Sequence, residues 1–316
     1  MRAFLVPFLI LAALPAEARD YRLGLITPPP HQWTKSAEAA AAEIAEATGG
    51  RVNILVFPSG QLGSEAHVLQ QLQTGAVDFS MMTLGEFASR DADYGIFHAP
   101  YLVEDIAAAG DLLQGEVAAG LLQGMSQFGL HGLGWGLAGM RQVLLAAPAE
   151  DVGALAGRKI RTVPLAPEME FWSLLGAAPT PMPLPALYDA FANGQVDGMQ
   201  IDYEGSWNTG YYTHGGQMLA SDHMIFPMAA VASGRSWAAM APEDRAVVEE
   251  VFSERLKDLV GLYAGIDAEN RERIEAAGLT VTEVGRDWFE PAVSAWYDAW
   301  HEKTPLLAEL EKEAAR

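Results

Sequence analysis

Apolar and polar positions alternate along Tyr21–Thr27 (YRLGLIT) and Arg51–Phe57 (RVNILVF), the period-two signature of a half-buried strand. Between them, Ser36–Thr48 places alanines and glutamates at helical spacing and stops at Gly49-Gly50. A second helix is predicted over Ser64–Thr74, with Ser64 as its N-cap and Gly75 as its stop, and Val77–Met82 (VDFSMM) then reads as a strand. The alternation resumes with a strand at Arg158–Pro164, helices at Pro167–Leu175 and Pro185–Ala192, and a strand at Val196–Gln200. Strands alternating with helices over short connections predict parallel sheets covered by helices. One device occurs in both runs: Gly75-Ala-Val77-Asp78 and Gly194-Gln-Val196-Asp197 each end a helix at a glycine and enter a strand through Val-Asp. Two similarly built α/β lobes are therefore expected.

The last third reads differently. Pro242–Ala277 is almost unbroken helical pattern with Gly278 beyond it, about 50 Å at 1.5 Å per residue. Such a helix lies across both lobes or breaks near Gly261 or Gly265. Asp287–Trp300 predicts an aromatic helix whose Trp288, Trp296 and Trp300 pack rather than bind.

Met1–Ala18 has the layout of a secretory signal: Arg2, an apolar run from Ala3 to Leu14, and Ala16-Glu17-Ala18 before Arg19. The run is too short to span a bilayer, and no later segment reaches the roughly 20 apolar residues a span needs. The expected compartment is the periplasm. The chain of 316 residues carries 41 acidic and 20 basic side chains, a formal charge of −21. That charge repels phosphate backbones and argues against nucleic-acid partners. With no cysteine, disulfide scaffolds, cysteine-ligated metals and thiol catalysis drop out. The seven histidines show no metal-ligand spacing, so neither a metal nor a cofactor is expected. Gly134-Trp-Gly136-Leu-Ala-Gly139 matches a dinucleotide fingerprint in letters only, because Met140–Leu145 after it reads as a strand instead of a helix. Asp78 and Asp197 are expected to cap or to face solvent, not to act as a catalytic pair.

Positive charge is scarce where it matters. Between Asp91 and Gly234 the basic residues are Arg141, Arg158, Lys159 and Arg161. Arg141 and Arg161 sit inside strand-like stretches, where a long cation needs a partner. An arginine fork pairs with a carboxylate through two parallel charge-assisted bonds. That partner is either a ligand acid or one of the chain's own carboxylates.

Leu155-Ala-Gly157-Arg-Lys159-Ile160-Arg161, Leu175-Gly-Ala-Ala-Pro179-Thr180-Pro181-Met182-Pro183, Leu187-Tyr188-Asp-Ala190-Phe191 and Gly194-Gln-Val-Asp197-Gly198 form a signature. Thr48-Gly-Gly50-Arg-Val52, Phe57-Pro58-Ser-Gly60-Gln61-Leu62-Gly63 and Leu133-Gly134-Trp135-Gly136, leading into Arg141, extend it. Over Tyr21 to Trp300 the chain resembles the DctP-like extracytoplasmic solute-binding subunits of tripartite ATP-independent periplasmic (TRAP) transporters. The resemblance implies a two-lobed α/β periplasmic-binding-protein fold with crossing hinge strands and a long lobe-spanning helix. Lobe I would comprise 19–142 plus about 231–265, and lobe II 143–230 plus about 266–303, with 1–18 as signal and 304–316 as a C-terminal tail.

The implied ligand is a small organic acid, bound by a monomer and delivered to the TRAP membrane permease without covalent chemistry. Arg161 would pair with the ligand carboxylate and Arg141 would support it. Loops around Pro30–Trp33 and Ser80–Thr83, including His31, Trp33, Ser80 and Thr83, would build the opposite wall with Tyr101. One departure stands out. Many relatives continue Gln-Glu-Asn-Pro after the Val-Asp-Gly, the asparagine touching the ligand, whereas here the chain reads Met199-Gln200-Ile201-Asp202. Gln200, Asp202, Trp207 and Asn208 then become candidates for the wall beside Arg161. Acidic groups there would face a ligand amine, with Glu204 expected in solvent. The rival readings are a periplasmic sensor and a carboxylate-processing enzyme on the same fold.

Overall fold

A computed structural model describes residues 18–316; the segment read as a signal lies outside them except for Ala18. Eleven strands follow in chain order: β1 Arg19–Gly24, β2 Val52–Phe57, β3 Phe79–Thr83, β4 Leu130–Met140, β5 Gln142–Leu145, β6 Lys159–Thr162, β7 Ala178–Pro181, β8 Gly198–Ile201, β9 Gln217–Ala220, β10 Ile225–Ser233 and β11 Thr280–Glu283. They form two sheets, ordered β2-β1-β3-β10-β4 and β11-β9-β5-β8-β6-β7. β1 is parallel to β2 and β3, whereas β10 runs antiparallel to β3 and β4. In the second sheet β6 is parallel to β7 and β8, and β5 is antiparallel to β8 and β9. Each sheet with its helices is one lobe, as the alternating pattern requires.

The Val-Asp device does the same job twice. Asp78 donates its backbone N–H to Arg22 O and accepts the Arg22 N–H on its carboxylate at 2.8 Å. Asp197 donates to Lys159 O and accepts the Lys159 N–H at 2.7 Å. Each carboxylate thus closes the first rung between its own chain and the neighbouring strand, satisfying a backbone donor at a strand start.

Helix Glu65–Thr74 is capped by Ser64, whose side chain accepts the His67 N–H, and it ends at Gly75 with φ 81°. The first helix begins earlier than its alanine run suggests. It spans Gln32–Ala47, and His31 Nδ1 accepts the Trp33 N–H as its cap. The aromatic segment is two pieces, a 3-10 turn at Arg286–Phe289 and a helix at Ala292–Lys303, because Pro291 between them has no N–H to continue one helix. Trp296 and Trp300 are buried and stacked, and Trp288 packs against the core beside Phe289.

The helix Pro242–Ala276 is continuous through Gly261 and Gly265. It explains the glycines of the rejected fingerprint. A Cβ at Gly134 would lie 2.8 Å from Leu256, one at Gly136 would lie 3.1 Å from it, and one at Gly139 would meet the Asp267 carboxylate at 2.6 Å. These glycines make a groove along β4 in which the long helix is seated.

The chain passes between the lobes four times, the last between β11 and the C-terminal helix. β4 passes into β5 through Arg141, and the chain returns through Ser221–Met224; Arg141 N–H donates to Met224 O, and His223 N–H to Arg141 O. The long helix is the third crossing, tied to the first lobe by Arg255 on Glu43 and to the second by Tyr263 on Glu204. β10 pairs with β4 from Ile225 to Ser233, so the return to the first lobe precedes the expected boundary at 230. Residues 304–316 carry the helix Leu306–Ala314, which buries Leu307 and Leu310 against the first lobe. Glu313 there accepts the Val117 N–H. Among the described residues no helix is long and apolar enough to cross a membrane.

Candidate functional site: a cationic cleft between the lobes

A cavity of about 40 Å³ lies between the sheets, beside the Arg141 crossing. Its first-lobe wall is the Ile26–Trp33 loop with Thr83 and Ala138; its second-lobe wall comes from Arg161, Val163, Leu184, Ile201 and the short helix Tyr203–Asn208. Phe226, at the start of β10, closes the base.

Both arginines reach this cavity, in different electrostatic states. Arg141 is 3% exposed; its Nη1 donates to Asp202 Oδ2 at 2.7 Å, and its guanidinium lies 3.4 Å from the Phe226 ring centroid. Burial lowers its pKa while Asp202 holds it up. Arg161 is 1% exposed and projects from β6 between β7 and β8. Its Nε donates to Met182 O at 2.9 Å, and its Nη2 has no partner among the described residues. Burial, reinforced by Arg141, pushes its pKa down to about 10, which still leaves it charged at neutral pH. A buried cation is costly unless paired, and Glu168 and Asp202 are the carboxylates that help to hold Arg161 charged.

Besides Asp202, Glu168 lies near both arginines, and sequence reasoning did not single it out. Burial raises its pKa to about 7 against the pull of Arg141 and Arg161, and its Oε2 accepts the Val163 N–H. No local pattern marks it; it follows Pro167 in the first turn of a helix, where acids are common.

The remaining candidates divide. His31, Trp33, Thr83, Asp202 and Asn208 line the cavity with the arginines. Gln200, Trp207, Ser80 and Tyr101 do not. Strand alternation turns Ile201 toward the cavity and Gln200 to the other face, where it accepts the Trp172 indole N–H at 2.8 Å and meets His223. Trp207 stacks on Tyr212 with Arg273 above it. Ser80 donates to Gly24 O, bracing β3 to β1. The Tyr101 N–H bonds His223 O at the crossing, while its ring packs on Phe289 and faces a separate surface groove.

Asp202, expected to face a ligand amine, and its neighbour Glu204 are already engaged. Asp202 Oδ1 accepts the Gly205 N–H and Oδ2 accepts Arg141. Glu204, expected in solvent, is 1% exposed. Its Oε1 accepts the Gln32 N–H at 2.9 Å and its Oε2 the Tyr263 O–H at 2.7 Å, and burial raises its pKa. Its partners lie on another lobe and on the long helix, so local polarity gave no hint of burial. His31, Asp202 and Glu204 approach within 4.8 Å of one another, close enough for a cation. Every carboxylate oxygen of that trio already accepts a protein donor, however, so the donor set does not call for a metal.

The family described as bacterial extracellular solute-binding protein, family 7, matches residues 23–304. A "Solute-binding protein" of Chromohalobacter salexigens is 24% identical over 298 residues, covering 93% of this chain and 88% of that protein. A TRAP periplasmic solute binding protein from Xanthobacter autotrophicus Py2, with bound β-D-galacturonate, superposes with a TM-score of 0.87 at 26% identity, covering 93% of this chain and 98% of that one. One from Ralstonia eutropha H16, with bound (S)-2-acetolactate, gives 0.87 at 26% identity, covering 94% and 98%. The two crossing strands, the helix laid across both lobes and the arginine-lined cleft are thus the architecture of a solute-binding clamp, and the chain belongs to family 7 of the bacterial extracellular solute-binding proteins.

Proposed function

We propose that this protein is the binding subunit of a TRAP transporter, which captures a small organic acid in the periplasm and presents it to the membrane permease. The single observation that carries the ligand chemistry is Arg161, a buried, charged residue of the cleft lining whose Nη2 has no partner among the described residues. A carboxylate there supplies a partner for that nitrogen, and closure strengthens the attraction by excluding water. Arg141, fixed by Asp202 and Phe226 at the crossing, adds its unpartnered Nε from the other side. The organic acids held by the relatives from Xanthobacter and Ralstonia support the same ligand class.

Binding and release suffice for this role. Lobe closure by rotation about Arg141 and Ser221–Met224 shifts the open–closed equilibrium toward the form that docks on the permease. The wall presents cations and carbon, with no Ser, Thr or His arranged as a nucleophile–base pair among the described residues, and this favours transport over turnover.

The test is a thermal-shift screen of the chain from Arg19 onward against organic acids, with Arg161→Gln in parallel. A ligand at 100 times its Kd stabilises the folded state by about 2.7 kcal/mol. Shifts with carboxylates that vanish in the variant support the proposal. Shifts confined to neutral or cationic solutes, equal in both proteins, reject it.

A further inference from the structure

A protein that binds a polyhydroxylated acid must offer its hydroxyls partners, so the unspent donors in the cleft decide what the rest of the ligand can be. Here they are almost all spent within the protein. The Trp33 indole N–H donates to Leu137 O at 2.9 Å, leaving only ring surface to the cavity. Thr83 Oγ1 donates to Glu65 at 2.5 Å, and Thr27 Oγ1 is paired with Thr34. Thr209 Oγ1 donates to Gly205 O, and the Asn208 amide to Glu204. His31 accepts through Nδ1 and turns Nε2 toward Glu204, 3.7 Å away. The side-chain donors of the wall left over are those of Arg161 and Arg141, which a carboxylate engages, and the His31 Nε2–H, a single neutral donor.

The charge count agrees. Asp202 pairs with Arg141, and Glu168 beside both arginines offsets part of the charge on Arg161, so the site has room for one anion and not for two. Around these groups the wall is carbon: Pro28, Val163, Leu184, Ile201 and Phe226. Ile201, turned into the cavity from β8, adds carbon and no polar partner at that place. The cavity is also small.

We infer that the ligand is a compact monocarboxylate with an apolar remainder, a short branched aliphatic acid, and not a sugar acid or a dicarboxylate. This rests on the Arg161–carboxylate reading and narrows it. Each ring hydroxyl of a uronate would exchange water for carbon at this wall, and the second carboxylate of a dicarboxylate would be buried without a cation.

The experiment is isothermal titration of the ligand-stripped chain with 3-methylbutanoate, D-galacturonate and succinate, on wild type, Arg161→Gln and Ile201→Asn. The expected result is that 3-methylbutanoate binds about a hundredfold or more tightly than the other two, the discrimination an apolar pocket achieves against added hydroxyls. Arg161→Gln should abolish that binding, and Ile201→Asn should narrow the gap to galacturonate. If galacturonate or succinate binds wild type most tightly and Arg161→Gln abolishes it, the aliphatic class is overturned while the carboxylate reading stands. If Ile201→Asn leaves the preference unchanged, the apolar wall does not set it and the inference fails. Absence of binding by all three acids, or binding indifferent to Arg161, overturns both.

Discussion

Glu204 Oε1 accepts the backbone N–H of Gln32 at 2.9 Å, joining the second lobe's short helix to the first turn of the first lobe's opening helix. Glu204 Oε2 accepts the Tyr263 O–H from the long helix. One carboxylate therefore ties both lobes and the element that spans them. The Gln32 bond requires the cleft to be shut, whereas binding through Arg161 does not itself involve Glu204.

Removing this tie should therefore weaken closure more than it disturbs the cleft. A hydrogen bond to a charged group contributes about 1.5–3 kcal/mol, so Glu204→Ala is expected to lower apparent ligand affinity about tenfold or more. Glu204→Gln keeps an acceptor for the Gln32 N–H and should retain most of the affinity. Titration calorimetry of both variants checks this; equal losses would mean the charge, not the acceptor, matters.

Asp267 gives the molecule a pH signature. Burial and the nearby Asp202 raise its pKa to about 8, well above its ordinary value, so the folded state binds a proton that the unfolded chain releases. Its contribution is fully present below about pH 4 and is lost as pH rises to about 8, by about 1.4 kcal/mol per pH unit. Asp267→Asn should flatten denaturant-measured stability over that interval. His98 and His223 act in the opposite sense over a lower window. Burial depresses both to about 3, so their contribution is present above about 6.5 and is lost as pH falls toward 3.

The paired strand-start aspartates should be structural in both lobes. Asp197→Ala removes the acceptor of the exposed Lys159 N–H and is expected to cost about 0.5–1.5 kcal/mol. Asp78→Ala should cost more, because it also strands the Ser236 hydroxyl, 2.5 Å away. Urea unfolding of the two variants measures the difference, and a neutral Asp197→Ala would contradict the role.

Gly139 tests the groove beneath the long helix. It has φ 70°, and an added Cβ would meet the Asp267 carboxylate at 2.6 Å. Gly139→Ala combines backbone strain with displacement of the helix and should cost about 2 kcal/mol. Gly129→Ala, also at positive φ but with open space around its Cβ position, should cost less. Parallel thermal melts compare them.

The elements legible in the sequence were those governed by local rules. Ser64 and Gly75 bound their helix through caps, and the two Val-Asp entries marked equivalent strand starts before either partner was visible. Arg161 stood out because a cation inside an apolar strand needs an anion. What failed depended on distant partners. All four residues of β8 are buried, so no alternation told Gln200 from Ile201; pairing with β5 fixes which one faces the cleft. Glu168 went unmarked and Glu204 was expected in solvent because their donors, Val163 N–H, Gln32 N–H and Tyr263 O–H, meet them only in the folded chain. The glycines Gly134, Gly136 and Gly139 could be rejected as a nucleotide turn, yet their reason, Leu256 and Asp267, lies on the long helix far along the chain.

The most direct measurement is native mass spectrometry of the chain isolated from the cells that make it, comparing wild type with Arg161→Gln. The account predicts that wild type carries one small organic acid per chain and that the variant carries none. A neutral or cationic solute on wild type, or the same acid retained at equal occupancy by the variant, would contradict it.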